Sequence, residues 1–214
     1  MKMFPIKNQT IKVGGTNSAA GKPATTGTTK TFELMEEHMR APTGNRTLTG
    51  DLSSRLDKLG IFQPAPSTPL GAYVESSDTG DLLFLSGMLP LVNRKLSISG
   101  RLGENLSVRE GQEAAHIASL NALAAAKQHL GTLDRLKKLV KLTVLIATTE
   151  QFADHAPVAD GASNLFVHIF GPQAGHVRLV YGVQSLPIGA PLIVDVIFEI
   201  EPLASLNLQP ESML

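Results

Sequence analysis

Alternating apolar and polar positions predict β-strands on both sides of a helical middle region. Near the amino end, residues 71–75 and 81–86 are predicted to form two strands joined by a hairpin loop, and residues 95–99 a short third strand. Near the carboxyl end, residues 175–199 predict two strands joined by a turn around Leu186-Pro187-Ile188-Gly189. These patterns indicate a domain in which β-structure surrounds the helices.

Two longer segments between these strands have helical features. Ser107 and Glu110 have the S-x-x-E spacing of a capping box, and the Ala- and Leu-rich run after them favours a helix that ends at Gly131. Apolar residues at helical spacing predict a second helix over residues 151–170. Residues 139–148, which lie between the two helices, predict a buried strand.

The predicted element order is β-β-β-α-β-α-β-β, which indicates an α+β fold with a mixed sheet and both helices on one face. The alanines of the first helix indicate close packing against a flat surface, most simply that sheet. A short helix over residues 53–62, with Leu56 and Leu59 on its apolar side, is predicted ahead of the strands. If the second face of the sheet is apolar, it needs a cover, and a closed symmetric oligomer is the usual one.

Composition divides the chain into three regions. Residues 1–50 are predicted to be an extension, whose Thr-, Ser- and Gly-rich stretch cannot bury a core and is expected to be disordered. Within it, residues 31–40 are predicted to form one short helix. Residues 51–203 are predicted to be the folded domain, and residues 204–214 a tail.

The start of the chain also bears on its location. The first thirty residues contain lysine and many hydroxyl residues but no acidic residue, as organelle transit peptides do, yet they lack arginine and a clear amphipathic helix. The longest apolar runs, such as residues 144–147, are far shorter than the roughly 20 residues that cross a bilayer. We therefore expect a cytoplasmic protein with no membrane partner, with organelle targeting as the alternative.

Charge and cysteine content exclude several classes of site. The 19 Lys and Arg balance the 19 Asp and Glu, so nucleic acid is not an expected partner. Cysteine is absent, which removes disulfides, thiolate metal sites and a cysteine nucleophile. The histidines have no zinc-type spacing, and no phosphate-binding loop or dinucleotide-binding glycine pattern occurs. We therefore expect neither a metal nor a cofactor.

A single cation, Arg178, lies within an apolar predicted strand. Burying a guanidinium is costly unless an anion meets it. One interpretation is that Arg178 binds a ligand carboxylate in bidentate fashion, and the other is a structural ion pair to Asp195 or Glu199 on the next strand. His176 shares the Arg178 side of the strand, so it is either a candidate for proton transfer or an ordinary edge residue.

A second candidate feature is the end of the strand predicted over residues 81–86. Ser86 and Gly87 could present free backbone amides to an anion there, because glycine permits close approach. The alternative is an ordinary turn that ends the strand. The sequence leaves both interpretations open.

Five segments carry a family resemblance. They are PLGAYVES, LLFLSGMLP, GRLGENLSVREGQEAA, DGASNLF and HVRLVYGVQSLPIGAPL, within residues 52–201. Together they resemble the RidA/YjgF family, the reactive-intermediate imine and enamine deaminases also known as L-PSP endoribonucleases, in a branch with a longer N-terminal region. The resemblance implies a chorismate-mutase-like fold and a homotrimer whose sheets form a central barrel with clefts between subunits. It also implies hydrolysis of 2-imino or 2-enamino acids to 2-oxo acids and ammonia.

The resemblance implies roles for particular residues as well. Arg178 matches the arginine that clamps the substrate carboxylate. The other implied binding residues are Tyr73 in the cleft, the lining residues Ser86, Gly87 and Met88, and Asp160, where an asparagine is common.

One departure from the family pattern affects the chemistry. Ile193 stands where the resemblance implies a glutamate that positions the attacking water, and Asp195 is two residues further along the same side. The expected catalytic residues are therefore Arg178, His176 and Asp195. Three hypotheses follow: a deaminase, a non-catalytic regulatory trimer that binds small carboxylates, and an endoribonuclease supported by the family label alone.

Overall fold

The computed structural model describes residues 51–61, 64, 71–172 and 174–202, and the statements below concern these residues. They form an α+β fold in which two long helices lie against one face of a five-stranded mixed sheet, as predicted. The elements are α1 (Leu52–Leu59), β1 (Ser76–Thr79), β2 (Leu82–Leu85), β3 (Leu91–Val92), β4 (Lys95–Leu96), α2 (Val108–Leu130), β5 (Leu136–Ala147), α3 (His155–Phe170), β6 (Val177–Val183) and β7 (Leu192–Ile200). The predictions for residues 1–50 and 204–214 lie outside the described residues.

The strand order in the sheet is β1-β2-β7-β5-β6. β5 and β6 are parallel, with α3 as the crossover between them, whereas the other pairs are antiparallel. β6 and β7 follow each other in the chain, but β5 lies between them in the sheet. The prediction that Asp195 and Glu199 occupy the strand next to Arg178 is therefore wrong.

The start and end of α2 agree with its local sequence signals. Ser107 Oγ accepts a hydrogen bond from the Glu110 amide, and the Ser107 amide donates to Glu110 Oε2 at 2.8 Å, which completes the predicted capping box. The hydrogen bonds that the Ser107 amide and then the Ser107 hydroxyl donate to the Glu110 carboxylate lower the pKa of that carboxyl. Gly131 takes the left-handed conformation, with φ of 80°, and ends the helix.

The core lies between the sheet and the two long helices. Alternate residues of β5 and β7, among them Leu142 and Val196, point towards the helices and are fully buried. Phe166 of α3 packs edge-on against Phe198 of β7, with ring centroids 5.7 Å apart. The helices also approach each other closely, because a Cβ on Gly161 would overlap the backbone of Gln112.

The first hairpin differs from its prediction. Residues 71–75 were expected as a strand, but the polar residues Ser76–Thr79 pair with β2 instead, and Gly80-Asp81 forms the turn. β1 lies at the edge of the sheet, where polar side chains remain hydrated, so the strand lacks the apolar alternation used for the prediction. Gly80 has φ of 60°, which suits a tight turn.

The expected third strand also differs. Only Lys95–Leu96 is extended, and it pairs with Leu91–Val92 in a separate two-stranded sheet. The turn between them places Asn93 and Arg94 at φ of 51° and 64°. Two hydrogen bonds from Asn121 Nδ2, a buried one to the Leu89 carbonyl and a partly buried one to the Leu91 carbonyl, attach this small hairpin to α2.

None of the described elements covers the second face of the large sheet, which carries several exposed apolar side chains. These include Phe84 from β2 and Val177, Leu179 and Tyr181 from β6, and Val177 is 66% exposed. We call this surface the open sheet face. Among the described residues, no helix is both long and apolar enough to span a bilayer.

Candidate functional site

Arg178 contacts an acidic residue of α3. It lies on the side of β6 that faces the helices, and its Nη1 donates to Asp160 Oδ1 at 2.7 Å and to Ser163 Oγ at 3.0 Å. The anion beside Arg178 is therefore the internal carboxylate of Asp160 and not that of Asp195 or Glu199. The pair joins the middle of α3 to the edge strand of the sheet.

The guanidinium of Arg178 keeps unused donors. Both of its hydrogen bonds involve Nη1, so Nη2 and Nε have no partner among the described residues. The side chain is 27% exposed, so solvent reaches it. A guanidinium held at one nitrogen, with its opposite edge free, can still bind a carboxylate through two parallel hydrogen bonds.

His176 joins the same network through Ser163. Its Nε2 lies 3.1 Å from Ser163 Oγ. Arg178 can only donate to that oxygen, so the Ser163 hydroxyl proton is available for donation to a neutral imidazole. Burial, and then the neighbouring Arg178 charge, lower the pKa of His176, which favours the neutral imidazole. We call Asp160, Ser163, His176 and Arg178 the α3–β6 network.

Asp195 lies elsewhere in the fold. It pairs with Thr143 of β5, whereas Arg178 pairs with Leu142, and adjacent residues of a strand point to opposite faces. Asp195 therefore points to the open sheet face, as does Ile193, while Arg178 points to the helices. The structure does not bring Asp195 to the α3–β6 network within one chain.

The remaining predicted residues gather at the end of β2. Ser86 is held by hydrogen bonds from its amide to the Glu75 carbonyl and from its hydroxyl to the Val74 carbonyl, at 2.8 and 2.7 Å. Met88 pairs with Val194 through two backbone hydrogen bonds. Tyr73 is exposed, and a Cβ on Gly87 would lie 2.5 Å from Ile193 Cγ2. The Ser86 and Met88 amides are thus engaged in backbone pairing and not free for a ligand.

A cavity of about 560 Å³ lies at the carboxyl ends of β5 and β6. It is lined by Arg101, Thr148, Thr149, Glu150, Phe152, His155, Gly182, Val183 and Gln184. No sequence pattern marks these residues as one site, because they lie in three separate parts of the chain. The available signal was their position just after predicted strands, where functional residues of parallel strand pairs often lie.

Comparison with known proteins identifies the family. The family model described as "YjgF/chorismate_mutase-like, putative endoribonuclease" matches residues 53–200, so the chain belongs to the RidA/YjgF family, as predicted. Protein TCP17 of Trypanosoma cruzi is 38% identical over 153 residues, which cover 71% of this chain and 96% of that protein.

Two solved structures are similar over most of their length. Protein Atu1372 of Agrobacterium tumefaciens, of unknown function, is 33% identical, with a TM-score of 0.64 over 70% of this chain and 93% of that one. A "putative endoribonuclease" from Shewanella oneidensis is 32% identical, with a TM-score of 0.67 over 71% of this chain and 100% of that one. Both likenesses agree with the observed α+β fold.

Proposed function

We propose that the protein is a deaminase that hydrolyses 2-imino or 2-enamino acids to 2-oxo acids and ammonia at the α3–β6 network. The observation that supports this most is the guanidinium of Arg178, held by Asp160 and Ser163 at one nitrogen and open at its other edge. His176 supplies a neutral imidazole beside it. Membership of the RidA/YjgF family agrees with this chemistry.

In the proposed mechanism, the free edge of Arg178 binds the substrate carboxylate. Water adds to the carbon of the protonated imine while one water proton passes to His176, which gives a neutral carbinolamine. His176 returns that proton to the carbinolamine nitrogen, the C–N bond breaks, and ammonia leaves. The hydroxyl proton passes to water as the C=O bond of the 2-oxo acid forms. Imines hydrolyse readily, so a site that chiefly positions the reactants can accelerate the reaction without a carboxylate at position 193. Asp195 has no part in this proposal, because it lies on the opposite face of the sheet.

A second candidate function is non-catalytic binding of small carboxylates. Ile193 favours it, since no acidic side chain stands at that position. The close contact between Arg178 and Asp160 also favours it, because Asp160 partly neutralises the cation that would stabilise developing charge. Such a protein would bind a 2-oxo acid without turning over an imine.

We also propose that three copies assemble through the open sheet face. Phe84, Val177, Leu179 and Tyr181 leave an apolar surface on a sheet whose other face is covered by helices. Burying such a surface against other copies of the chain is favourable, at about 25 cal/mol for each Å² removed from water.

Freshly generated 2-iminobutyrate, followed by ammonia release, tests the two functions. The deaminase proposal predicts an enzyme-dependent rate above spontaneous hydrolysis. No acceleration, combined with a rise in melting temperature on adding 2-oxobutyrate, would favour the binding function instead. If neither effect occurs, both proposals fail.

A further inference from the structure

The cavity at the carboxyl ends of β5 and β6 is separate from the α3–β6 network. Gly182 of the cavity and Arg178 of the network lie on the same strand, four residues apart, which corresponds to about 13 Å of extended chain. A 2-imino acid of a few carbon atoms does not span that distance. The cavity therefore needs its own explanation.

Arg101 lines this cavity, and not all of the hydrogen-bond donors of its guanidinium have partners among the described residues. Its Nη2 donates to the Thr148 carbonyl at 2.5 Å, which fixes the side chain at the cavity wall. Its Nη1 is 3.9 Å from Glu104 Oε2, and its buried Nε has no hydrogen-bond partner among the described residues. The side chain is 39% exposed, so a ligand in the cavity can contact the guanidinium although Nε itself is buried.

The floor of the cavity is polar because residue 182 is glycine. A Cβ on Gly182 would lie 2.5 Å from His155 Nε2 and 2.8 Å from Thr148 Oγ1. The absence of a side chain therefore lets the imidazole and the hydroxyl occupy this position. Phe152 packs edge-on against the His155 ring, with centroids 5.3 Å apart, and holds its orientation.

The lining also carries a negative charge. The Glu150 carboxylate is exposed and forms no ion pair or side-chain hydrogen bond with other described residues. A ligand that touches both Arg101 and Glu150 must therefore offer an acceptor to the first and a donor to the second. The volume of about 560 Å³ falls in the range of small-molecule sites, about 300–1,000 Å³.

We propose that this cavity binds a small carboxylate that carries a second, hydrogen-bond-donating group. The carboxylate lies against Arg101, and the donor group lies towards Glu150. His155 and Thr148 contact the ligand from the floor. This site does not depend on the deaminase function of the α3–β6 network.

Three small molecules test the proposal. L-lactate carries both a carboxylate and a hydroxyl group, whereas acetate has only the carboxylate and propane-1,2-diol has only hydroxyl groups. Ligand-observed NMR titration of the full chain at pH 7.5 is expected to give saturable binding of lactate, tighter than that of acetate or the diol. Arg101→Gln is expected to weaken lactate binding by about tenfold or more, since hydrogen bonds to a charged group are lost. Arg109→Gln, which removes an exposed cation of α2 that does not line the cavity, is the matched control and is expected to leave the affinity unchanged.

Two further variants keep the test decisive if Arg101→Gln fails to fold. Glu150→Gln changes an exposed residue and is expected to reduce the preference for lactate over acetate. Gly182→Ala is expected to abolish binding, because the new Cβ fills the floor. Absence of lactate binding to the wild-type protein would overturn the proposal. A second result would also overturn it. If Arg178→Gln removes lactate binding while Glu150→Gln and Gly182→Ala leave it intact, the ligand occupies the α3–β6 network and not the cavity.

Discussion

Asp160 and Ser163 determine what Arg178 can do. They hold its Nη1 and leave the other edge of the guanidinium accessible, so the residue is both a link between α3 and β6 and a candidate ligand-binding group. His176 is oriented by the same serine. Burial, and then the neighbouring Arg178 charge, lower the pKa of His176, which favours the neutral imidazole.

The lowered pKa of His176 predicts a pH-dependent loss of stability. In the unfolded chain the imidazole has a pKa of about 6.5, and burial and Arg178 lower it in the folded protein. The unfolded state therefore binds more protons below about pH 6.5, and the stabilisation present above that pH is lost as pH falls through the folded-state pKa. The midpoints of urea unfolding of the wild type and His176→Gln, each at pH 7.5 and 5.5, measure this loss of stability.

The wild type is expected to lose more of its urea midpoint between these two pH values than His176→Gln does. The carboxyl groups with lowered pKa values, such as Asp78, which accepts a hydrogen bond from His129, titrate at lower pH and are common to both proteins. Equal pH dependence in the two proteins would show that His176 is not desolvated in this way.

At the scale of elements, the packing of α2 against α3 determines the positions of the α3–β6 network and of the cavity. At Gly161 the two helices lie very close together, with the Gln112 backbone opposite. The Gln112 side chain adds a hydrogen bond from Nε2 to the Pro157 carbonyl at 2.9 Å. The position of α3 over β6, and so the contact of Asp160 and Ser163 with Arg178, depends on this close approach.

Gly161→Ala is expected to destabilise the protein. Its Cβ would overlap backbone atoms that cannot rotate away, and overpacking of this kind costs about 1–3 kcal/mol, partly offset by the better helix propensity of alanine. Gly175→Ala is the matched control, because a Cβ there meets nothing within 4 Å. Urea denaturation of both variants measures the difference. An unchanged midpoint for Gly161→Ala would mean that the helices are not packed this closely.

Local signals predicted some elements well and others poorly. α2 was predictable at both ends, because Ser107, Glu110 and Gly131 act within single turns of the chain. β1 was not, because an edge strand tolerates polar residues such as Ser76–Thr79. The partner of Arg178 could not be predicted, since it depends on β5 lying between β6 and β7 and on α3 crossing over β6. The cavity likewise depends on tertiary packing of distant segments.

For the whole molecule, the open sheet face is the main unexplained surface. One face of the sheet is buried under α2 and α3. On the other face, Tyr181 is 50% exposed and lies among apolar neighbours. Large contiguous apolar patches on a protein surface mark interaction sites. Self-association through this face would bury the patch and place Asp195 at an interface between subunits.

Tyr181→Glu is expected to convert a trimer to monomers. A carboxylate at this position would be desolvated in the interface without a partner, at a cost of several kcal/mol. Val92→Glu is the control, because Val92 is also exposed but lies on the separate β3–β4 hairpin. Light scattering measures the molar mass of each. A monomeric wild-type protein, or an unchanged assembly in Tyr181→Glu, would contradict trimerisation through the open sheet face.

The role of Arg178 is tested most directly by its effect on kcat/KM for 2-iminobutyrate. Arg178→Gln is expected to lower kcat/KM by roughly ten- to a hundredfold, as loss of charged hydrogen bonds to a carboxylate does. Arg109→Gln, which removes an exposed cation of α2, is the control and is expected to retain wild-type activity. A folded Arg178→Gln protein with the wild-type kcat/KM would contradict the placement of the substrate carboxylate at Arg178.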